Sequence, residues 1–316
     1  MPVDTSPDVM MAQDIAAQLD AFGTKEINAK QKLARLLASN PRGFVAAAVP
    51  VLAAVKQSPG VRYLVNLLTQ EKMLPASLLD PKTGTSAAAA ALRTIADCGT
   101  NLQPMLELAL NRALQDHASP ETSERILRLL ELLALIAPPA LWNSFQLELM
   151  AHPDRLVRSK ATLLIGRSTK NVAWLGRRFL DRDSRVQASA VEALWVVDPA
   201  ESKPLLLAAA KSSYNRVAAN AMLGLHRIGE PAASQLLMDM ARHADPLFQA
   251  SAYWAIAATE DPSFLPFLGQ QFKASNGKVR LAITRAMACI RRRAPSTSES
   301  GQPALHPEPA VPISSE

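Results

Sequence analysis

The chain of 316 residues has little of several features that define common protein classes. Its two cysteines, Cys98 and Cys289, are too few for a disulfide framework or a four-thiolate zinc site. Aromatic residues make up 5% of it, and no run alternates Val, Ile, Thr or aromatic residues with polar ones. These absences exclude a disulfide-stapled secreted domain and a β-sheet protein, and they favour a reducing compartment.

The sequence also lacks a targeting signal and a membrane-spanning segment. Asp4 and Asp8 stand where a secretory signal would carry Lys or Arg. The most apolar segments, residues 44–55 and 129–142, are interrupted by proline and fall short of the ~20 apolar residues that cross a bilayer. We therefore expect a soluble, cytoplasmic protein with no membrane partner.

Strong helix formers are what the chain has in abundance, and 48% of its residues are hydrophobic. Helix starts are marked by a polar cap residue followed by proline, whose φ angle already suits the first turn. Seven such pairs occur, at Asn40-Pro41, Ser58-Pro59, Asp80-Pro81, Ser119-Pro120, Asp198-Pro199, Asp245-Pro246 and Asp261-Pro262. The sequence predicts an all-α protein of many short helices.

An apolar residue recurs in the second half of the chain at spacings of 29, 31, 31 and 31 residues from Val157 onward. One step of 31 residues backwards from Val157 leads to Ile126. These repeat anchors are Ile126, Val157, Val186, Val217, Phe248 and Val279. Small or apolar residues follow each anchor after four and eight positions, which places the three side chains on one stripe of a helix.

Each repeat also contains a cap position and a second helix. The residues three positions before the anchors are Ser123, Asp154, Asp183, Tyr214, Asp245 and Asn276, and all but the tyrosine are cap formers. Second apolar helices are expected at residues 172–180, 204–210, 232–241 and 262–272. Such hairpins bury their apolar faces only against their neighbours. The pattern predicts an α–α superhelix, a right-handed solenoid of stacked helical hairpins.

The repeats resemble the HEAT family, specifically its short bacterial HEAT-like units. The resemblance is carried by residues 154–161, 183–190 and 276–280, and it covers residues 152–292 well and 120–151 loosely. An arginine follows the anchor at Arg158 and Arg280, whereas Gln187, Ala218 and Gln249 depart from this pattern. The resemblance implies a solenoid fold and says little about function, because this scaffold serves many tasks.

Three regions follow from these patterns. Residues 1–119 are predicted to be an irregular helical N-terminal extension or cap, and residues 120–293 a HEAT-like repeat array. Residues 294–316, with five prolines and no apolar periodicity, are expected to be a disordered tail.

Positive charge is concentrated in the array. Residues 1–123 are neutral, residues 124–293 carry a net charge of +9, and residues 294–316 carry −3. Such a field favours acidic partners, phosphates or nucleic acid. A candidate basic ladder lies 25 residues after successive anchors, at Arg182, Lys211, Arg242 and Lys273. Either these cations offset the dipoles of the second helices, or they bind carboxylates or phosphates of a partner. The run Arg291-Arg292-Arg293 has the same two interpretations.

No constellation of catalytic or metal-binding residues is evident. The histidines show no metal-ligand spacing, and the sequence has no phosphate-binding glycine loop and no nucleophile elbow. Cys98 and Cys289 are expected to be buried small hydrophobes. The sequence thus predicts no enzyme, no cofactor and no metal.

Two enzymatic alternatives come from the HEAT resemblance. Some HEAT-like proteins are DNA glycosylases that combine tryptophans with a carboxylate, for which Asp239 is the candidate here. The tryptophans, Trp142, Trp174, Trp195 and Trp254, occupy different phases of the repeat, which favours separate packing roles. Phycobilin lyases also use HEAT-like units, but no residue pattern marks a chromophore site.

The leading hypothesis is a non-enzymatic scaffold whose second helices line a concave surface that holds an acidic protein segment or peptide. The alternative is a nucleic-acid-binding protein, with or without glycosylase chemistry.

Overall fold

The computed structural model describes residues 6–55, 58–70, 74–80, 83–136 and 138–293. These residues form eighteen α-helices and three short 3-10 helices, with no strand among them. The α-helices are α1 Pro7–Asp20, α2 Glu26–Ser39, α3 Pro41–Ala54, α4 Val61–Gln70, α5 Leu74–Leu78, α6 Thr85–Asp97, α7 Gln103–Gln115, α8 Pro120–Ile136, α9 Leu141–Ala151, α10 Arg155–Thr169, α11 Val172–Arg178, α12 Ser184–Ala193, α13 Pro199–Ala209, α14 Asn215–Arg227, α15 Ala233–Ala241, α16 Pro246–Thr259, α17 Leu265–Ala274 and α18 Gly277–Arg293.

The chain divides into two compact units, Met1–Gly224 and Leu225–Glu316, with the division inside α14. The boundary predicted between residues 119 and 120 stays a prediction, and the predicted tail at residues 294–316 lies outside the described residues. In the part of the chain that the structure describes, no helix is both long and apolar enough to cross a membrane.

The first unit is built from helices that pack in a regular order. Helix α1 packs on α3, α3 on α6, α6 on α8, α8 on α10 and α10 on α12. The intervening helices pack beside this row, with α7 against α8, α9 against α10 and α11 against α12 and α13. The helices before residue 120 therefore follow the same stacking order as those after it.

The second unit continues the hairpin pattern. Helix α15 packs on α16, α16 on α18 and α17 on α18. Its core contains Ala252, Tyr253, Ile256, Leu268 and Ile283, all of which are inaccessible to solvent or nearly so. The predicted fold class is confirmed: the protein is an all-α stack of helical hairpins of the α–α solenoid class.

The repeat anchors lie on the inner faces of their helices to different degrees. Ile126, Val157 and Val186 are fully buried and Val217 nearly so, while Phe248 and Val279 are half-buried. The residues four positions after the six anchors are all fully buried, at Leu130, Ala161, Ala190, Ala221, Ala252 and Ile283. Eight positions after Ile126 the expected pattern fails, because Ala134 is exposed and α8 buries Leu133 instead.

Aspartate caps begin the first helices as expected. The carboxylates of Asp154, Asp183 and Asp245 accept hydrogen bonds from the amides two residues later, at 2.7, 2.9 and 2.8 Å. Such bonds satisfy amides that lack a partner in the first turn. The expectation for Ser123 was wrong, since it lies inside α8, where its hydroxyl interacts with the carboxylate of Asp154.

The residue after the anchor has one structural role in three repeats. The side chains of Arg158, Gln187 and Gln249 each donate to the backbone carbonyl six residues earlier, at 2.9, 2.8 and 2.7 Å. Glutamine thus replaces arginine here without loss of this bond, which explains two of the departures from the HEAT pattern. Arg158 is the most buried of the three: its side chain is 7% exposed, and it also pairs with Asp181 at 3.7 Å.

Polar links join neighbouring helices of the row in the first unit. Lys160 pairs with Glu131 at 3.0 Å, and Arg167 pairs with Glu192 at 2.8 Å. The amide of Asn220 donates to the carbonyl of Ala188 at 3.0 Å, and this bond is buried. Much of the charge on α10 is therefore used to hold adjacent repeats together.

Two helices were not expected from the sequence, α5 and α9. The second helix α11 also ends earlier than expected, at Arg178 and not at Leu180. The amides of Phe179, Leu180 and Asp181 bond to carbonyls three residues earlier, so the chain tightens into a turn there.

Candidate interaction surface

The structure places the four residues of the candidate basic ladder in or after the last turns of second helices, two in each unit. Lys273 lies in the last turn of α17, and Arg242 is the C-cap of α15. Lys211 follows α13 by two residues, and Arg182 lies four residues beyond α11. The prediction that all four stand near the helix ends is therefore wrong for Arg182, because α11 ends early. Helix dipoles account for Lys273 and Arg242 and not for Arg182, since the effect is confined to the last turn.

Arg242 is already engaged within the second unit. Its guanidinium lies 3.2 Å from the carboxylate of Asp239 and 4.9 Å from the centre of the Phe267 ring. Binding of a partner at Arg242 would have to break both contacts. The first unit therefore offers the better part of the predicted ladder.

In the first unit, α11 and α13 pack side by side and present a mixed basic and apolar surface. We call this surface the α11–α13 face; it consists of Arg177, Leu180, Arg182, Lys203, Leu207 and Lys211. All six side chains are exposed, and Leu180 is 86% exposed. On α13 the spacing of four residues places Lys203 and Leu207 on one stripe, and Lys211 lies four residues further on, just beyond the helix. Sequence reasoning found two of these six residues.

Three cations of this face are not neutralised by neighbouring acids. Among the described residues, Arg177, Arg182 and Lys211 have no ion-pair partner. The nearby carboxylates of Asp181 and Asp183 point to other cations, Arg158 at 3.7 Å and Arg155 at 4.0 Å. The face therefore keeps a net positive charge.

Buried polar atoms without a hydrogen-bond partner also occur on this pair of helices. In the described part of the chain these atoms are Nε of Arg178 on α11 and Oγ of Ser202 on α13. The guanidinium of Arg178 lies 5.2 Å from the centre of the Trp174 ring. Unpaired buried polar groups are rare and call for a specific reason, so their occurrence on α11 and α13 sets this pair of helices apart.

The tryptophans and Asp239 have separate local environments in their own units. Trp142 and Trp174 are buried, and the indole N–H of Trp195 donates to the carbonyl of Asn220 at 3.0 Å. Trp254 is 51% exposed on α16. The carboxylate of Asp239 is exposed and bonds to neighbours on its own helix and at its C-cap.

The environments of the cysteine and histidine side chains fit structural roles. In the described residues no three His, Cys, Asp or Glu side chains are grouped as metal ligands. Burial raises the pKa of the Cys98 thiol, which opposes formation of a thiolate nucleophile. His226 lies 3.4 Å from Asp261, whose carboxylate also caps the amide of Ser263.

His152 illustrates a polar side chain that shapes a turn. Its Nδ1 accepts the amide of Asp154 at 3.1 Å, and burial lowers the pKa of the imidazole. Burial by itself would raise the pKa of Asp154, but the amide of Leu156 and the hydroxyl of Ser123 stabilise the carboxylate and lower it. Both groups therefore serve the loop before α10.

Sequence reasoning missed a groove of about 830 Å³ in the first unit, lined in part by Asp80, Glu121 and Arg125. Arg128 closes one side of it and donates to the carbonyls of Leu78 and Thr83. Its guanidinium is thus committed to fixing the chain between α5 and α6, and the lining has charges of both signs.

Comparisons with known proteins agree with the helical-repeat class. A family model of HEAT repeats matches residues 172–257 and, in an overlapping second placement, residues 202–288. No curated protein matches the sequence. Among 14 solved chains that match is an engineered protein from the Northeast Structural Genomics Consortium. It is 19% identical, the alignment covers 73% of this chain and 96% of that one, and the TM-score is 0.30.

The stacked hairpins define a helical-repeat protein. Within it, residues 172–288 match the HEAT-repeat family model.

Proposed function

We propose that this protein is a non-enzymatic interaction scaffold whose α11–α13 face binds an acidic segment of a partner protein. The proposal is carried by exposed cations that have no ion-pair partner among the described residues and that lie beside exposed leucines, on α11, on α13 and on the turns that follow them: Arg177, Arg182 and Lys211 with Leu180 and Leu207. Stacked helical repeats act as rigid platforms for such segments. The scaffold is proposed to work in a reducing cytoplasm, where two free cysteines are tolerated.

Affinity for the segment would come mainly from the leucines. An exposed ion pair contributes about 0.2–1 kcal/mol, whereas full burial of a leucine side chain contributes about 1.5–3 kcal/mol. Leu180, at 86% exposure, has the most to gain from being covered. The cations around it would select acidic partners and speed their approach. A partner segment with alternating acidic and aliphatic residues fits this division of roles.

The direct test is fluorescence anisotropy with a labelled helical peptide in which leucines recur every third or fourth residue among glutamates. We expect the wild type to bind it, and the variant Arg182→Glu/Lys211→Glu to bind about tenfold or more weakly, which corresponds to ~1.4 kcal/mol. A peptide with glutamine in place of glutamate should bind the wild type more weakly than the glutamate peptide does, and should bind the wild type and this variant about equally.

The matched control is Arg42→Glu/Arg93→Glu, which changes the net charge equally at exposed positions on α3 and α6. This control should keep wild-type affinity. Equal losses in the two variants would show that only net charge matters and would contradict a specific face. Binding of single-stranded DNA with no binding of the peptide would contradict the proposal in favour of nucleic-acid recognition.

A further inference from the structure

Helix α18 leaves one of its faces uncovered. Five residues after the anchor, the first helices α10, α12, α14 and α16 bury Thr162, Val191, Met222 and Tyr253. At the same position of α18, Thr284 is exposed, and Ala288 four residues later is exposed as well. The surface that would receive a further helix in the row is therefore open on α18.

This helix is also strongly and uniformly charged. Residues 277–293 contain six basic residues and no acidic one. In the described part of the chain, Lys278, Arg285 and Arg292 are exposed and have no ion-pair partner. They recur every seven residues, with Leu281 and Ala288 between them, which is the spacing that meets a second helix running alongside. Arg280 is different, because its guanidinium lies 4.9 Å from the centre of the Phe272 ring.

Helix α1 has the opposite character. Its 14 residues contain three acidic residues and no basic one. Ile15 and Leu19 are buried against the rest of the first unit, while the opposite side exposes Met10, Gln13, Asp14, Ala17 and Asp20. Four of these residues form one stripe, because they are spaced by three and four positions: Met10, Gln13, Ala17 and Asp20.

We propose that the exposed face of α18 binds the exposed face of α1 of a second copy of this chain, so that molecules associate head to tail. Small residues, Ala17 on one helix and Thr284 and Ala288 on the other, allow the two helices to approach closely. Asp14 and Asp20 face a helix whose exposed cations are otherwise unpaired. Pairing α18 with α18, or α1 with α1, would bring like charges together, so a symmetric dimer through either helix is disfavoured.

The proposed contact joins two different surfaces, so each surface can be blocked by its own variant. The variant Asp14→Lys/Asp20→Lys blocks α1 and leaves α18 intact, whereas Arg285→Glu/Arg292→Glu blocks α18 and leaves α1 intact. Sedimentation equilibrium of the wild type at low salt should show a mass that rises with concentration and an affinity that weakens about tenfold or more when salt screens the charges. Each variant alone should stay monomeric, and their equimolar mixture should associate, because the intact α18 of one variant can bind the intact α1 of the other.

Circular dichroism must show unchanged helicity in both variants. A wild type that stays monomeric at every concentration in low salt would overturn the proposal, as would a mixture of the variants that fails to associate. The variant Arg182→Glu/Lys211→Glu should associate like the wild type, which separates this contact from the proposed binding of an acidic partner.

Discussion

A pair of glycines offers a direct test of how closely α10 and α12 approach. A Cβ atom added at Gly166 in α10 would lie 2.6 Å from Cδ2 of Leu175 and 2.7 Å from the Cβ of Ala193 in α12. The Cβ of Ala193 is fixed to the backbone, so α12 itself would have to move. At Gly176 in α11 the nearest such atom is Cδ1 of Leu205, at 4.0 Å. The same substitution to alanine should therefore have different effects at the two sites.

The magnitudes follow from two contributions. Alanine in place of glycine inside a helix stabilises by about 0.5–1 kcal/mol, and this gain applies to both sites. Overpacking of a filled core costs about 1–3 kcal/mol, and this cost applies only to Gly166→Ala. We expect Gly176→Ala to stabilise the protein and the free energies of unfolding of the two variants to differ by about 1–3 kcal/mol.

Urea unfolding followed by circular dichroism measures this difference, provided that the slopes of the transitions are equal among the variants. A second probe, tryptophan fluorescence, should give a coincident transition if the unfolding is cooperative. Equal stabilisation by Gly166→Ala and Gly176→Ala would refute the close approach of α10 and α12 on which the stacking of these repeats rests.

Three further predictions concern polar groups in the same stack. Arg158→Leu should destabilise by about 3 kcal/mol because it leaves buried carbonyls unpaired, whereas Arg158→Gln should cost clearly less, as urea midpoints will show. Burial lowers the pKa of His152 in the folded protein, so the neutral imidazole makes its full contribution to stability above pH ~6.5. The free energy of unfolding should therefore fall as the pH drops below that value toward the lowered pKa, and His152→Gln should remove this part of the pH dependence. Asn220→Ala should cost about 1–3 kcal/mol because the carbonyl of Ala188 loses its buried partner, and thermal unfolding measures it.

The sequence was sufficient to predict the fold class and much of the hairpin pattern. The anchors and the small residues that follow them reflect burial on one helical stripe, and aspartates such as Asp154 and Asp183 mark helix starts by a local hydrogen bond. These signals depend only on neighbours in sequence. Helix α9 was missed because its apolar residues follow a proline-rich stretch that looks like a loop.

The surface was less predictable, because its composition depends on which side chains find partners in space. Arg182 and Lys211 were found by their position in the repeat, but Arg177, Leu180 and Leu207 carry no sequence signal of exposure. Residues of one type can also differ in role: Arg158 is buried in the first turn of α10, whereas Arg285 and Arg292 of α18 are exposed. Periodicity alone does not reveal this difference.

The most direct test of the central claim is a hydrogen-exchange map of the protein with and without the glutamate- and leucine-containing peptide. If the α11–α13 face receives an acidic segment, exchange should slow in residues 172–183 and 199–212 and stay unchanged in α3 and α6. Slowing that is spread evenly over all basic surfaces, or confined to other helices, would contradict the account.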